Sequence, residues 1–282
     1  MVNDQESGLP AITLSGRRRG IVTDLLHCTG IQCRFGDFVA TKGIDPSVKH
    51  GEIVGIIGAN GAGKTTLLNI ISGYLKPTAG RVMFRGTDVT GMPPRALARR
   101  GIARSFQVPQ LFASGTAREN MMVALSLLVD PRTSLLRRFS DRGLFDKAQR
   151  LLEDYRIGEH ADAVVAHIPQ GVRKLLDIAM ATCASPALVL LDEPTSGVSV
   201  DEKNDLIGRL IERFRKTSTS VIFIEHDMEI VREYASRVIA LYDGRIIADG
   251  DVAEVFADRD VVRYITGAGV APLSADGCHA PA

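Results

Sequence analysis

From Asp24 onward the chain alternates compact apolar runs with stretches of helical period. Glu52-Ile-Val-Gly-Ile-Ile57 is a short apolar run that stops at a glycine cluster, the pattern of a buried strand. Beyond the cluster, Leu67, Leu68 and Ile71 recur at helical spacing, which predicts a helix from about Gly63 to Ser72 with Gly73 as its stop. The runs over 187–191 and 220–224 are apolar without interruption, as in parallel strands covered on both faces. A helix over 200–216 between them makes a strand–helix–strand unit. Residues 238–242, the turn Asp243-Gly244 and residues 245–248 then read as a hairpin.

Between residues 108 and 170 the strand signals fade. Helical stretches over 116–128 and 145–155 are separated by the turn-prone Asp130-Pro131, and a further helix is expected over 171–183. Arg132, Arg137, Arg138 and Arg142 outnumber Asp141 along the connecting stretch, which reads as a solvated surface. The pattern is that of one α/β domain over 24–266, interrupted by a helical insertion at about 108–185. Flexible tails are expected over 1–23, where Arg17-Arg18-Arg19 is read as solvated charge, and over the Gly/Ala/Pro-rich residues 267–282. No internal repeat is visible.

Composition narrows the function classes. The 34 Lys plus Arg are balanced by 33 Asp plus Glu, leaving a net charge of +1, which argues against holding nucleic acid by bulk positive charge. With 45% hydrophobic and 24% charged residues the chain suits a packed core and not a disordered one. Its apolar runs fall far short of the roughly 20 residues that cross a bilayer, and MVNDQESGLP carries no apolar signal core, so a cytoplasmic protein is expected. Cys28, Cys33, Cys183 and Cys278 form no CxxC pair, and His27 with Cys28 beside Cys33 reads as strand packing rather than a metal cage.

Gly58-Ala-Asn-Gly61-Ala-Gly63-Lys64-Thr65 fits GxxxxGK[ST] between a predicted strand and a predicted helix. Glycines there allow positive φ and let backbone N–H groups close on a phosphate chain at the positive end of a helix. Lys64 then bridges the β- and γ-phosphates and the Thr65 hydroxyl binds Mg²⁺. The bland alternative is a plain glycine-rich turn. Leu188-Val-Leu-Leu-Asp192-Glu193-Pro194 is an apolar strand ending in two carboxylates. Asp192 suits a water-mediated partner of Mg²⁺ and Glu193 a base for the attacking water. Alternatively both cap the next helix. In Ile224-Glu225-His226-Asp227, His226 can reach the γ-phosphate or hold the water with Glu193, although a lone strand-end histidine is ordinarily structural.

The ordered set GANGAGKTT, Ser105-Phe-Gln107, LLDEPTSG and IEHD resembles the ATP-binding subunit of ABC transporters over nearly all of 24–265. The wording of Leu68-Asn-Ile-Ile-Ser-Gly73, Gly80-Arg-Val and Gly101-Ile-Ala-Arg-Ser-Phe-Gln107 is most similar to the branched-chain amino-acid uptake group, whose relatives carry urea or short amides. The resemblance implies a P-loop NTPase of ABC type, an α/β fold with a mixed central sheet, a β-subdomain and an inserted helical subdomain. It implies ATP held by Phe35, Gly58, Asn60, Gly61, Ala62, Gly63, Lys64, Thr65 and Thr66, with Gly171 contacting the opposite subunit's ATP. Phe35 would stack on adenine, although by itself it reads as a core or edge-strand residue. Mg²⁺ would meet Thr65, Gln107 and Asp192, and catalysis would rest on Glu193, His226 and Gln107. Gln107 would also connect the core to the insertion that grips a membrane partner.

Two departures stand out. The family's LSGGQ signature is Ile168-Pro-Gln-Gly-Val172 here, and Pro169 brings neither the serine hydroxyl nor an N–H. Ser199 stands where the family usually has an aspartate. Both changes fall on what the resemblance makes contacts across the subunit interface, so an asymmetric heterodimer is expected, with a homodimer as the alternative. The resemblance implies a subunit peripheral to the cytoplasmic face of the cell membrane. Its partners would be a second ABC ATPase subunit, two membrane permease subunits and, indirectly, a solute-binding protein, with no nucleic acid. With little chain beyond Gly267, no C-terminal regulatory domain is expected. A soluble ABC ATPase acting on nucleic acid or ribosomes is the alternative, and the absence of an NKxD segment speaks against a GTPase.

Overall fold

The computed structural model describes residues 24–105, 109–128 and 142–267. The expected tails over 1–23 and 268–282, Gln107, Cys278 and the basic connecting stretch over 129–141 lie outside the described residues.

Three short apolar segments decide the architecture: β4 (Ile53–Gly58), β8 (Leu188–Asp192) and β9 (Ser220–Ile224) are buried at every position. Because strand side chains alternate between faces, each segment feeds two cores at once. Ile53, Ile57, Val189, Leu191, Val221 and Phe223 join one core. Val54, Ile56, Leu188, Leu190, Ile222 and Ile224 join the other. These strands form the middle of a six-stranded sheet ordered β11-β10-β4-β9-β8-β7, with β7 at Ile102–Ser105, β10 at Arg237–Tyr242 and β11 at Arg245–Gly250. All its pairings are parallel except the β10–β11 hairpin, whose Asp243 and Gly244 both take positive φ, as a two-residue I′ turn requires. The sheet is therefore mixed, as expected.

A second, antiparallel sheet comprises β1 (Leu26–Phe35), β2 (Phe38–Ile44), β3 (Ser47–Val48), β5 (Ala79–Phe84) and β6 (Thr87–Asp88). Leu26, Cys28, Val82 and Phe84 from this sheet share one core with α1 (Lys64–Ile71). Cys28 and Cys33 are packing residues of β1, and burial pushes the Cys28 thiol up to about 12. The opposite core is closed by α3 (Ala117–Ser126), α4 (Arg142–Asp154), α5 (Gln170–Thr182) and α6 (Val200–Lys216). Thr116 and Glu119 make a reciprocal capping box that starts α3. None of the described helices is long and apolar enough to cross a membrane.

The predicted central elements lie where the sequence put them, with ends moved by up to three residues. β7, β5, β6 and α2 (Pro94–Arg100) were not foreseen. α2 buries only Leu97 and its last turn is Arg99-Arg100, so little apolar periodicity advertises it.

Candidate functional site

β4 lies between β10 and β9, and its carboxyl end opens into the loop that starts α1. Carboxyl ends of parallel strands are where a doubly wound sheet leaves a crevice. Gly58, Gly61 and Gly63 all take positive φ along this loop. Close packing explains two of them. A Cβ on Gly58 would lie 2.3 Å from the Leu241 carbonyl oxygen, and one on Gly63 would lie 2.5 Å from that of Ala40. At Gly61 nothing stands within 4 Å, so that glycine serves the turn itself. Protein backbone thus crowds Gly58 and Gly63, a constraint additional to the phosphate approach expected from sequence. The hairpin turn locks the assembly, since Gly244 N–H donates to the Ala62 carbonyl at 3.2 Å and Lys42 N–H to the Gly244 carbonyl at 2.8 Å.

Lys64 is the first residue of α1 and is buried. Its ammonium donates to the Gly58 carbonyl at 2.6 Å and the Ala59 carbonyl at 3.0 Å. Burial lowers its pKa, while the Glu193 and Asp192 carboxylates act against that. No acidic side chain occupies the first turn of α1, so the positive end of the helix is left for an anion.

Phe35, Asn60, Gly61, Ala62, Gly63, Lys64, Thr65, Thr66, Glu193 and His226, all singled out from sequence, line one cleft of about 190 Å³. Phe38 and Ala40 complete it. Phe35 is half exposed at the end of the β1–β2 hairpin, opposite Phe38, and so offers a free ring face. Gly58, the last residue of β4, is not among the residues that line this cleft. Neither is Gly171.

The two carboxylates at the end of β8 have different surroundings. Asp192 is buried and paired with Arg104, Nη2 to Oδ2 at 3.0 Å. Burial raises its pKa and the Arg104 guanidinium opposes that rise. Glu193 sits at φ 49°, a left-handed conformation that costs a non-glycine residue about 1–3 kcal/mol. Its N–H donates to the Ile224 carbonyl at 3.0 Å, and its Oε1 lies 2.9 Å from His226 Nε2. Glu225, buried at the end of β9, accepts from the Thr195 N–H at 2.9 Å and hydroxyl at 2.8 Å. That strut holds the turn after Glu193 against the loop carrying His226. Lys174 of α5, also buried, reaches the Glu193 carbonyl at 3.4 Å.

The capping alternative fails. The helix after Glu193 is α6, capped at Ser199 without any side-chain hydrogen bond, whereas Asp192 engages Arg104 and Glu193 engages His226. Arg104, Lys174 and the Glu225 strut were not legible as site residues. Each meets a partner remote in sequence: Arg104 the Asp192 carboxylate, Lys174 the Glu193 main-chain carbonyl and Glu225 the Thr195 N–H and hydroxyl.

The donor set suits Mg²⁺. The Thr65 hydroxyl and the Asp192 carboxylate are hard oxygens of the kind that cation prefers. Gly171 is the second residue of α5, behind Pro169, which caps the helix without a side-chain bond. A Cβ there would meet Val198 Cγ1 at an ordinary 3.7 Å, so neither packing nor backbone demands this glycine.

A family model described as ABC transporter matches residues 41–196. The chain is 31% identical over 250 residues to the high-affinity branched-chain amino acid transport ATP-binding protein BraF of Pseudomonas aeruginosa, covering 86% of this chain and 98% of the relative. It is 32% identical over 250 residues, with the same coverage, to the high-affinity branched-chain amino acid transport ATP-binding protein LivG of Escherichia coli K12. A solved ATP-binding cassette of an ABC transporter in its ADP conformation superposes with a TM-score of 0.74 at 30% identity, covering 86% of this chain and 98% of that one.

Proposed function

The chain belongs to the ABC transporter family of ATP-binding subunits, and on that premise we propose that it hydrolyses ATP to drive uptake of branched-chain amino acids or a related small polar solute such as urea or an amide. The observation that carries the chemistry is the 2.9 Å pairing of Glu193 with His226 at the wall of the cleft that holds the phosphate loop. Phe35 stacks on adenine while Asn60 to Thr66 wrap the phosphates, and Lys64 neutralises charge between the β- and γ-groups. Thr65, Asp192 and Gln107 would hold Mg²⁺, which when bound would supply further charge neutralisation to the phosphates. Glu193 takes a proton from the attacking water as its oxygen bonds to the γ-phosphorus and the bond to the β–γ bridging oxygen breaks. His226 holds Glu193 in line for that transfer. Likeness to BraF and LivG supports the solute class.

Uptake into vesicles tests this. With its membrane subunits and binding protein, the chain should drive ATP-dependent accumulation of leucine or valine. Accumulation of urea or acetamide instead would shift the solute within the same function, and ATP-dependent uptake of none would overturn it.

The subunit works head to tail with a second ATP-binding subunit, peripheral to the cytoplasmic face of the membrane and docked through its helical insertion on two permease subunits. Asymmetry follows from Pro169 and Ser199. ATP on this chain's loop is completed by the partner's signature, whereas the partner's ATP meets the weaker segment around Gly171. Losing one charge-assisted contact costs about 1.5–3 kcal/mol, roughly ten- to a hundredfold. The isolated chain should therefore hydrolyse ATP slowly and, with Glu193→Gln, stay monomeric in ATP by light scattering. A full-rate homodimer would contradict the asymmetry.

A further inference from the structure

Arg104 lies in the sequence segment 101–107, but that segment gives it no role of its own, and its side chain is nonetheless enclosed. Its side chain is 6% exposed and that of its partner Asp192 is 9% exposed. Burying two charges is expensive, and apolar residues of similar volume commonly serve stability as well or better. A pair this enclosed is thus poorly explained by stability alone. Its geometry offers a better reason. Nη2 donates to Asp192 Oδ2 at 3.0 Å, while Nη1 donates to Asn69 Oδ1 at 2.6 Å and Ser72 Oγ at 2.9 Å. Asn69 and Ser72 belong to α1 and its cap, and Asn69 lies one helical turn after Thr65 on the same face. Arg104 itself is anchored in β7, which pairs in register with β8. One planar, rigid fork therefore ties the strand carrying Asp192 to the helix carrying Thr65.

We propose that Arg104 is a positioning residue for the Mg²⁺ side of the nucleotide site: it holds Asp192 through one oxygen and sets the separation between that carboxylate and the Thr65 face of α1. The inference rests on the assignment of Thr65 and Asp192 to Mg²⁺. It extends that assignment to a residue that touches neither metal nor nucleotide. Without the fork, Asp192 is free to rotate and its placement relative to Thr65 is lost. The phosphate loop rests on its own supports, the Lys64 bonds to the Gly58 and Ala59 carbonyls and the packing of Gly58 and Gly63 against Leu241 and Ala40, and should keep its shape.

The test is equilibrium binding of a fluorescent ATP analogue (mant-ATP) to the full chain, in Mg²⁺ and in EDTA, for the parent, Arg104→Gln, Arg104→Lys and Asn69→Ala. In EDTA all four should agree within about twofold. The gain in affinity on adding Mg²⁺ should fall about tenfold in Arg104→Gln and less in Arg104→Lys, which keeps the charge but loses the fork. Asn69→Ala, which frees the helix side only, should lower the gain in the same direction. If Arg104→Gln does not fold, the lysine and Asn69 variants carry the test. A Mg²⁺ gain equal to the parent's, or affinities in Mg²⁺ and EDTA that fall together, would make Arg104 a scaffold residue and overturn the proposal. A parent that shows no Mg²⁺ gain at all would overturn the metal assignment and the proposal with it.

Discussion

Glu193→Gln is expected to lower kcat for ATP hydrolysis by about 10²- to 10⁴-fold, the usual worth of a positioned base, with little change in KM. The substitution keeps the shape of the side chain, the left-handed turn at φ 49° and a hydrogen-bonding partner for His226, 2.9 Å away. What it removes is the basic carboxylate that takes the proton from water. The Thr195–Glu225 strut is untouched, so the turn keeps its place. Steady-state phosphate release, with nucleotide binding measured in parallel, separates the two effects. A loss confined to kcat is the mark of a group that acts only in the transition state.

Lys64→Ala should act on the other parameter. The ammonium has two phosphates to meet, and charge-assisted contacts contribute about 1.5–3 kcal/mol each, so affinity for ATP should fall by about 10²- to 10⁴-fold. In this structure Lys64 donates to the Gly58 and Ala59 carbonyls, and the loop shape also rests on backbone packing against Leu241 and Ala40. The variant should therefore fold, with stability within about 1 kcal/mol of the parent by chemical denaturation. Isothermal titration with ATP and Mg²⁺ reads the affinity, and binding at the parent's strength would remove Lys64 from the phosphate site.

The fold was most legible where each strand is buried on both faces. β4, β8 and β9 need apolar residues at every position, so they stand out as uninterrupted runs. α6 was bounded correctly because its charged outer face and apolar inner face alternate clearly over 17 residues. β7 escaped notice for the opposite reason. It has four residues at the sheet edge, and one of them is Arg104, a cation that tertiary pairing makes tolerable inside the protein.

The site shows the same division. Lys64, Thr65, Glu193 and His226 lie in contiguous words whose chemistry is local, so their convergence on one cleft could be anticipated. Arg104 meets Asp192 across 88 positions, and Glu225 meets Thr195 across 30, distances over which no periodicity carries information. Lys174 falls in the signature helix at a position where helical period alone assigns a core residue. Phe35 could be read either way, and in the structure its ring is half exposed in the lining of the cleft.

Gripping a triphosphate and cutting it are assigned to different side chains of one cleft, and the chemical identity of retained nucleotide tests that division most directly. The full chain, together with its membrane subunits and partner ATPase, is incubated with radiolabelled ATP and Mg²⁺, separated rapidly from free nucleotide and extracted. With Glu193→Gln the protein should yield intact ATP, with Lys64→Ala almost no nucleotide, and with the parent mainly ADP. Intact ATP held by Lys64→Ala, or ADP recovered from Glu193→Gln at the parent's rate, would contradict it.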